Sequence, residues 1–441
     1  MREILFEFQL SPTTWAYVSA LMTIGVYFKF HRFWSVRNLD LIGLIAFSPG
    51  LLLIFHGLVK GEPLLMQGGY VWLFVIGGFF LIRLLLDPVM VRRPLLEPNL
   101  SASGLTFTGA SLLVFLMANV VMNPDERMEY QLAKQPVMSE ATPGYPPLLH
   151  LATISEKTVS AVDKTHTDEY RRALLTLTLS RSLVVLSHLS LVLGIVLVGY
   201  RHFDNIHTGV AAASLYLLLF YSSQMTGRLD HVIPAAVLVW AVVMYRRPIV
   251  SGLLVGMAAS LVFYPLFLLP LWCGFYWSRG LIRFSVAVAV ALLVMIILLI
   301  PLAGVADFPS ALRHMFGLVG FATRDASGFW TKHAPVFRIP VAAAFIALSA
   351  SLALWPAQKN LGTLLSCSAA VMLGSQFWHM PQGGLCMAWY LPLLILTVFR
   401  PNLEDRVAQS AVVALRFRRG RMGVPSPSRF QQRTEGNEGT G

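Results

Sequence analysis

Charge is scarce in this chain. Only 13% of its 441 residues are Asp, Glu, Lys or Arg, about half the share of an average soluble domain. With 56% of residues apolar or aromatic, a water-soluble globule is excluded. Cysteine is nearly absent as well. Cys273, Cys367 and Cys386 form neither CxxC nor a metal-ligand spacing, so they exclude a disulfide framework and read as small core residues. Strand-like alternation is missing from the long apolar runs, which excludes a membrane β-barrel. What remains is an all-α polytopic bundle of about 11 to 13 helices, because only helices satisfy a backbone inside lipid.

The apolar runs predict spans near 13–28, 39–57, 70–86, 105–122, 173–200, 208–223, 230–245, 284–303, 339–355, 362–377 and 387–399. Between Arg247 and Arg279 an apolar stretch is broken at Tyr264-Pro265 and again at Pro270, with basic residues at both ends. It reads as two short helices that dip in and return; one strongly tilted helix is the alternative. Met1 to Leu10 is not a signal peptide of the usual kind, since Glu3 and Glu7 offset Arg2, and the first span is expected to be retained.

Lys and Arg exceed Asp and Glu by 34 to 22, a net charge of +12. This excess is not a nucleic-acid signal, because it is strung along short connections and the tail. Placing Lys29, Arg32, Arg37, Arg92, Arg93, Arg201, Arg246, Arg247, Arg279, Arg283 and Lys359 on one side requires an outer N-terminus and a cytoplasmic C-terminus. Two outer loops then follow, Asn123 to Arg172 and Gly304 to Arg338. Residues 405–421 alternate apolar and basic side chains, as a helix on an anionic leaflet would. The Pro, Ser, Gln and Gly-rich stretch after Gly423 cannot build a core and is expected to be disordered.

Candidate chemistry concentrates in the outer segments. Asp125 and Glu126 stand at the mouth of a helix, where partial burial would raise a carboxylate toward the range useful for accepting a proton; solvated acids at a helix end are the plainer reading. Arg181 lies on an otherwise apolar helix with His188 seven residues on, hence on the same face. Either the two line an interior cavity, or the helix begins late and Arg181 snorkels to the interface. Arg228, Asp230 and His231 form a second cluster or a solvated turn. The second outer loop offers Asp307, Arg313, His314, Arg324, Asp325, Trp330, Lys332 and His333. Trp330, Trp378, Trp389 and Tyr390 suit an aromatic belt.

Eleven histidines form no HExxH or Cys/His quartet, so no structural metal is expected. Gln67-Gly68-Gly69 reads as a turn without Walker or dinucleotide spacing, so no nucleotide site is indicated. Gly252 and Gly256, spaced as GxxxG, predict close helix packing.

The order of these pieces resembles the GT-C superfamily of membrane glycosyltransferases, including the protein-mannosyltransferase-like and mycobacterial-mannosyltransferase-like families. The likeness runs over residues 105–303. It rests on a span ending in Asp125-Glu126, then Tyr130 and Ala133, Tyr145-Pro146-Pro147-Leu148, Arg181-Ser182, Asp230, and Arg246-Arg247-Pro248 with Gly252 and Gly256 leading to Pro265. On that resemblance, 1–104 is a three-span extension, 304–338 a second outer loop, 339–403 the C-terminal spans and 404–441 a cytoplasmic tail. It implies transfer of a sugar from a polyprenyl-phosphate donor to an outer-face acceptor. The carry-over reaches only the acidic pair, with Asp125 the first choice of base and Glu126 the fallback; Tyr145, Arg181, His188, Arg228, Asp230, His231, Arg324 and Lys332 are candidate substrate contacts on the reading of the residues themselves. No cofactor is required, although the acidic pair would accommodate a weakly bound divalent cation, as some members use. The partners implied are the lipid-linked donor and membrane lipids, not nucleic acid, in a bacterial inner membrane. A transporter or a non-catalytic membrane protein is the rival. A transporter built on repeats should show a second broken helix pair matching Tyr264-Pro265, and the sequence offers none.

Overall fold

The computed structural model describes residues 11–90, 96–122, 144–153, 156–162, 167–317, 328–332, 335–357, 359–378 and 383–401. The chain divides into two units, 1–400 and 401–441, and only the first is described below. Among the described residues every regular element is helical. Asp125, Glu126 and Arg324, and the tail segment 405–421, lie outside them.

Five helices are long and apolar enough to cross a membrane. They are α2 (Val36–Lys60) and α3 (Pro63–Leu86), then α4 (Ala102–Met122), α7 (Thr167–His202) and α13 (Leu281–Met315). The numbering leaves α1 for Pro12–Tyr27, and α5 (Pro146–Thr153) and α6 (Glu156–Ala161) for two short helices ahead of α7. The long helices turn apolar side chains outward: Phe107 and Val114 on α4, Leu179 and Leu186 on α7, and Ile282, Val286, Leu293 and Ile297 on α13 are all exposed. Lipid contact explains that pattern, since water would not tolerate so large an apolar surface. α13 breaks at Gly304, where φ is 78°, so its last turns, 305–315, are helical where the sequence predicts an outer loop.

The remaining helices are short, and here the structure departs from the predicted spans. α8 (Ile206–Leu218), α9 (Phe220–Gln224) and α10 (Leu229–Val243) make one hairpin; α11 (Pro248–Leu261) and α12 (Leu269–Tyr276) make a second. After α14 (Arg338–Ser351), α15 (Leu361–Gly374) and α16 (Leu391–Phe399) make a third. The second is the dipping pair expected at Tyr264-Pro265. The sequence predicts full crossings for the first and third. α8 has 13 residues, about 20 Å at the rise of a helix against the roughly 30 Å of a hydrocarbon core. Apolar composition marks burial, and a helix enclosed by protein is as apolar as one that touches lipid. α8 and α15 are buried on nearly every side.

All three hairpins enter from the same end. His202 at the close of α7 meets the Val243 carbonyl through Nε2 at 2.9 Å, and the Tyr276 hydroxyl donates to the Tyr245 carbonyl at 2.5 Å. The Gly25 and Phe28 carbonyls accept from Asn99. Lys29, Arg201, Arg246, Arg279 and Lys359 are thus gathered at one end, as the charge count predicts.

A buried network closes this basic end. Arg83 donates to Asp40 through Nε and a terminal nitrogen, both at 3.0 Å, and to Asp87 at 3.0 Å. Arg400 grips the other Asp87 oxygen at 2.6 and 3.1 Å. Both acids are fully buried. Among the described residues two cations meet two anions here, and pairing of this kind permits burial of charges that would otherwise be prohibitive. A Cβ at Gly362 would stand 2.3 Å from the Arg400 guanidinium, so only glycine leaves that approach open.

α11 and α13 meet through the GxxxG pair. A Cβ on Gly252 would lie 2.5 Å from the Phe284 carbonyl oxygen and one on Gly256 2.7 Å from that of Val288. Backbone cannot yield as a flexible side chain does. Gly256→Leu is therefore expected to cost about 3 kcal/mol and to lower the melting temperature in detergent, and an unchanged value would show that the helices do not touch there.

Candidate functional site

The tips of the three hairpins meet at half depth. His231 lies 12 residues along α10 from Val243, which places it about 18 Å from the basic end. The first tip, 219–229, brings Tyr221, Thr226 and Arg228 up to Asp230 and His231. The third, 375–390, brings Cys386, Ala388 and Trp389. Arg228 clasps Asp230 in a fork, Nε to Oδ1 at 2.8 Å and a terminal nitrogen to Oδ2 at 2.5 Å. Both side chains are nearly buried, at 12% and 8% exposure. Bidentate geometry of this kind is what lets guanidinium and carboxylate survive away from water.

His231 is held between tips. The Ala388 N–H donates to the Tyr221 hydroxyl at 3.1 Å, and that hydroxyl stands 2.9 Å from His231 Nδ1. On the other side of the ring Nε2 faces the Cys386 sulfur at 3.7 Å and Asp230 Oδ2 at 3.8 Å. Trp389 Nε1 donates to the Asp230 carbonyl at 3.2 Å. The Tyr264 ring of the second tip packs on Trp389 and Trp378, with centroids 5.4 and 5.5 Å away. Arg338, opening α14, donates to the Trp378 carbonyl at 2.8 Å, and Trp330 to that of Phe377 at 2.9 Å.

Of the residues expected to contact substrate, Arg228, Asp230 and His231 come together, and they are buried rather than lying on a solvated turn. His188 joins them indirectly. It is buried, and its Nε2 donates to the Thr226 carbonyl of the first tip at 2.8 Å. Arg181 is half-buried, 21 residues along α7 from His202 and so about 32 Å from the basic end. α7 begins at Thr167, well ahead of Arg181, so the late helix start that the snorkelling alternative requires is not found. Tyr145 lies above the tips. Its N–H donates to the Leu261 carbonyl at 2.9 Å, as that of Gly144 does to His314 at 3.2 Å. Partial burial pushes the Tyr145 phenol up from its ordinary value. α5, which Tyr145 opens, lies beside α7, where Ser180 donates to the Leu151 carbonyl at 2.9 Å. Lys332 falls in the helical turn Phe329–Lys332.

The aromatic residues expected in a boundary belt are placed otherwise. Trp330, Trp378, Trp389 and Tyr390 are all buried within the protein, because the third hairpin turns back before reaching the far boundary. Gln67, expected in a turn, lies in α3 and donates to the Phe329 carbonyl at 2.9 Å.

Tyr221, Cys386 and Tyr70 were not legible as site residues. The Tyr70 hydroxyl is buried with no hydrogen-bond partner among the described residues, in electrostatic reach of Cys386. Their one signal is a polar atom within a run taken for a plain span. Among the described residues no group of three His, Cys, Asp or Glu side chains is placed to hold a metal.

The fold is that of an all-helical bundle with five helices long and apolar enough to span a membrane, enclosing an ionisable cluster at half depth. No family model, curated protein or solved structure matches the chain.

Proposed function

We propose that the protein is a membrane glycosyltransferase that moves a sugar from a polyprenyl-phosphate donor to an acceptor at the end of the bundle opposite the basic turns. The observation that carries this reading is the Arg228–Asp230 fork with His231 at the converging tips. A lipid-borne donor keeps its tail in the bilayer and, in this reading, brings its phosphate head into the bundle towards the tips. Transfer from it needs a cation for the departing phosphate and a carboxylate for the acceptor hydroxyl. Arg228 is the proposed cation, with Arg181 a second, and Asp125 or Glu126 the proposed base. The base takes the acceptor's proton as the new glycosidic bond forms, and the lipid phosphate leaves with the electrons of the broken one. In this reading the N-terminus is outside, the tail is cytoplasmic and the membrane is a bacterial inner membrane.

The test is transfer from a polyprenyl-phosphate sugar in isolated membranes. Asp125→Ala combined with Glu126→Ala should reduce it at least a hundredfold at unchanged expression, within the range general-base removal gives. Full activity in the double variant removes the proposed base.

A second reading is favoured by one observation, the half-span hairpins. Discontinuous helices that end at mid-membrane around ionisable residues are the architecture of many transporter sites. Uptake of a solute into vesicles that survives the Asp125/Glu126 double variant but not Arg228→Gln would select it.

A further inference from the structure

The turn after α1, Lys29 to Trp34 at the basic end, is a built surface rather than a slack connection. Asn38 is 1% exposed, and its side-chain amide donates to the Lys29, Arg32 and Phe33 carbonyls at 2.9, 3.0 and 3.3 Å. Its carbonyl oxygen accepts from the Lys29 N–H at 3.2 Å. One buried side chain thus fixes the whole turn. The rings are tied as well: buried Phe28 meets Phe30 edge-on at 5.1 Å and Phe33 at 5.5 Å, and Phe33 meets Trp34 at 5.4 Å.

What this scaffold presents is aromatic and cationic. Phe30 is 71% exposed and Trp34 80%, and His31 and Arg32 beside them are exposed too. Holding large rings rigidly outward in water would be costly. In the interfacial layer of a bilayer it is favourable, because rings sit at headgroup level and the cations meet lipid phosphates. Buried stapling adds a further gain, since the turn pays no ordering cost when it engages.

We propose that this turn is a binding site for anionic phospholipid headgroups of the leaflet at the basic end, with Arg32 as the phosphate contact and Phe30 and Trp34 as interfacial wedges. The charge argues for anionic over zwitterionic lipid, each Lys or Arg near the surface being worth about fivefold in local enrichment. The site is independent of what the hairpin tips do.

The test uses the full chain reconstituted in phosphatidylcholine vesicles holding a minor fraction of either phosphatidylglycerol or phosphatidylcholine with brominated acyl chains. The difference between the protein and its Trp34→Phe variant isolates the Trp34 fluorescence. Brominated phosphatidylglycerol should quench that signal more than the same fraction of brominated phosphatidylcholine. Arg32→Gln should reduce the preference about fivefold and Arg32→Lys should restore much of it. Equal quenching by the two lipids, before and after Arg32→Gln, would overturn the proposal in favour of an unselective membrane boundary. Quenching by neither would place Trp34 away from the bilayer.

Discussion

Asp87→Asn is expected to cost about 3–5 kcal/mol of stability, the penalty for leaving a buried cation without its partner. Asp87 receives Arg83 on one oxygen and Arg400 on the other, so neutralising it leaves one net positive charge in a water-excluded setting. Arg400→Met should do comparable damage with the opposite sign, stranding a carboxylate. The informative variant is the double one. Asp87→Leu with Arg400→Met leaves the Arg83–Asp40 pair at 3.0 Å and restores neutrality, so most of the loss should be recovered. Denaturant or thermal unfolding of the wild type, Asp87→Leu, Arg400→Met and the double variant in one detergent measures the coupling directly. Strictly additive losses would mean that the two side chains do not act as a pair. The same cycle separates the network's role in register from its role in stability, because an apolar replacement of a buried ion pair is often neutral.

Arg228→Gln should lower sugar transfer by about a hundredfold to a thousandfold, the range found when one preorganised group facing developing charge is removed. Glutamine keeps a hydrogen-bond donor but no charge, and it leaves Asp230 beside His231 at 3.8 Å. Asp230→Asn strands the Arg228 cation just as Arg228→Gln strands the buried Asp230 carboxylate, so stability falls along with activity in both variants. Arg228→Lys distinguishes a point charge from a fork, since lysine cannot make the two parallel contacts at 2.8 and 2.5 Å. Transfer per folded molecule, measured with labelled polyprenyl-phosphate sugar, is the readout. Wild-type transfer by Arg228→Gln would remove the cluster from the reaction.

Much of the architecture was written in plain hydropathy. The long helices α2, α3, α4 and α7 begin and end within several residues of the predicted spans, α13 runs on to Met315 past its predicted end at 303, and the dipping pair was legible because Pro265 and Pro270 interrupt it. What hydropathy could not distinguish was a helix facing lipid from one facing protein. α15 and α16 read as crossings because Leu, Ile and Val serve either purpose, and only length against bilayer thickness tells them apart. Charge counting failed differently. Arg83, Asp87 and Arg400 flank spans and look like ordinary end charges, and nothing local in the sequence says that they close on one another across 313 positions. Arg228, Asp230 and His231 were visible as chemistry, since three ionisable residues in four positions are rare in so apolar a chain. Their burial was not, because it depends on Trp389 and Cys386, which arrive from the far end of the sequence.

Hairpins that enter and leave by the same end contribute nothing to the parity of the chain's path. Each begins and finishes on the basic side, so excising α11 and α12, for example, would leave the handedness of every later passage unchanged. A change in their length would therefore not invert whatever follows them. The direction of each later passage is set by the helices that run from one end to the other, and the ionisable cluster sits in elements that take no part in setting it.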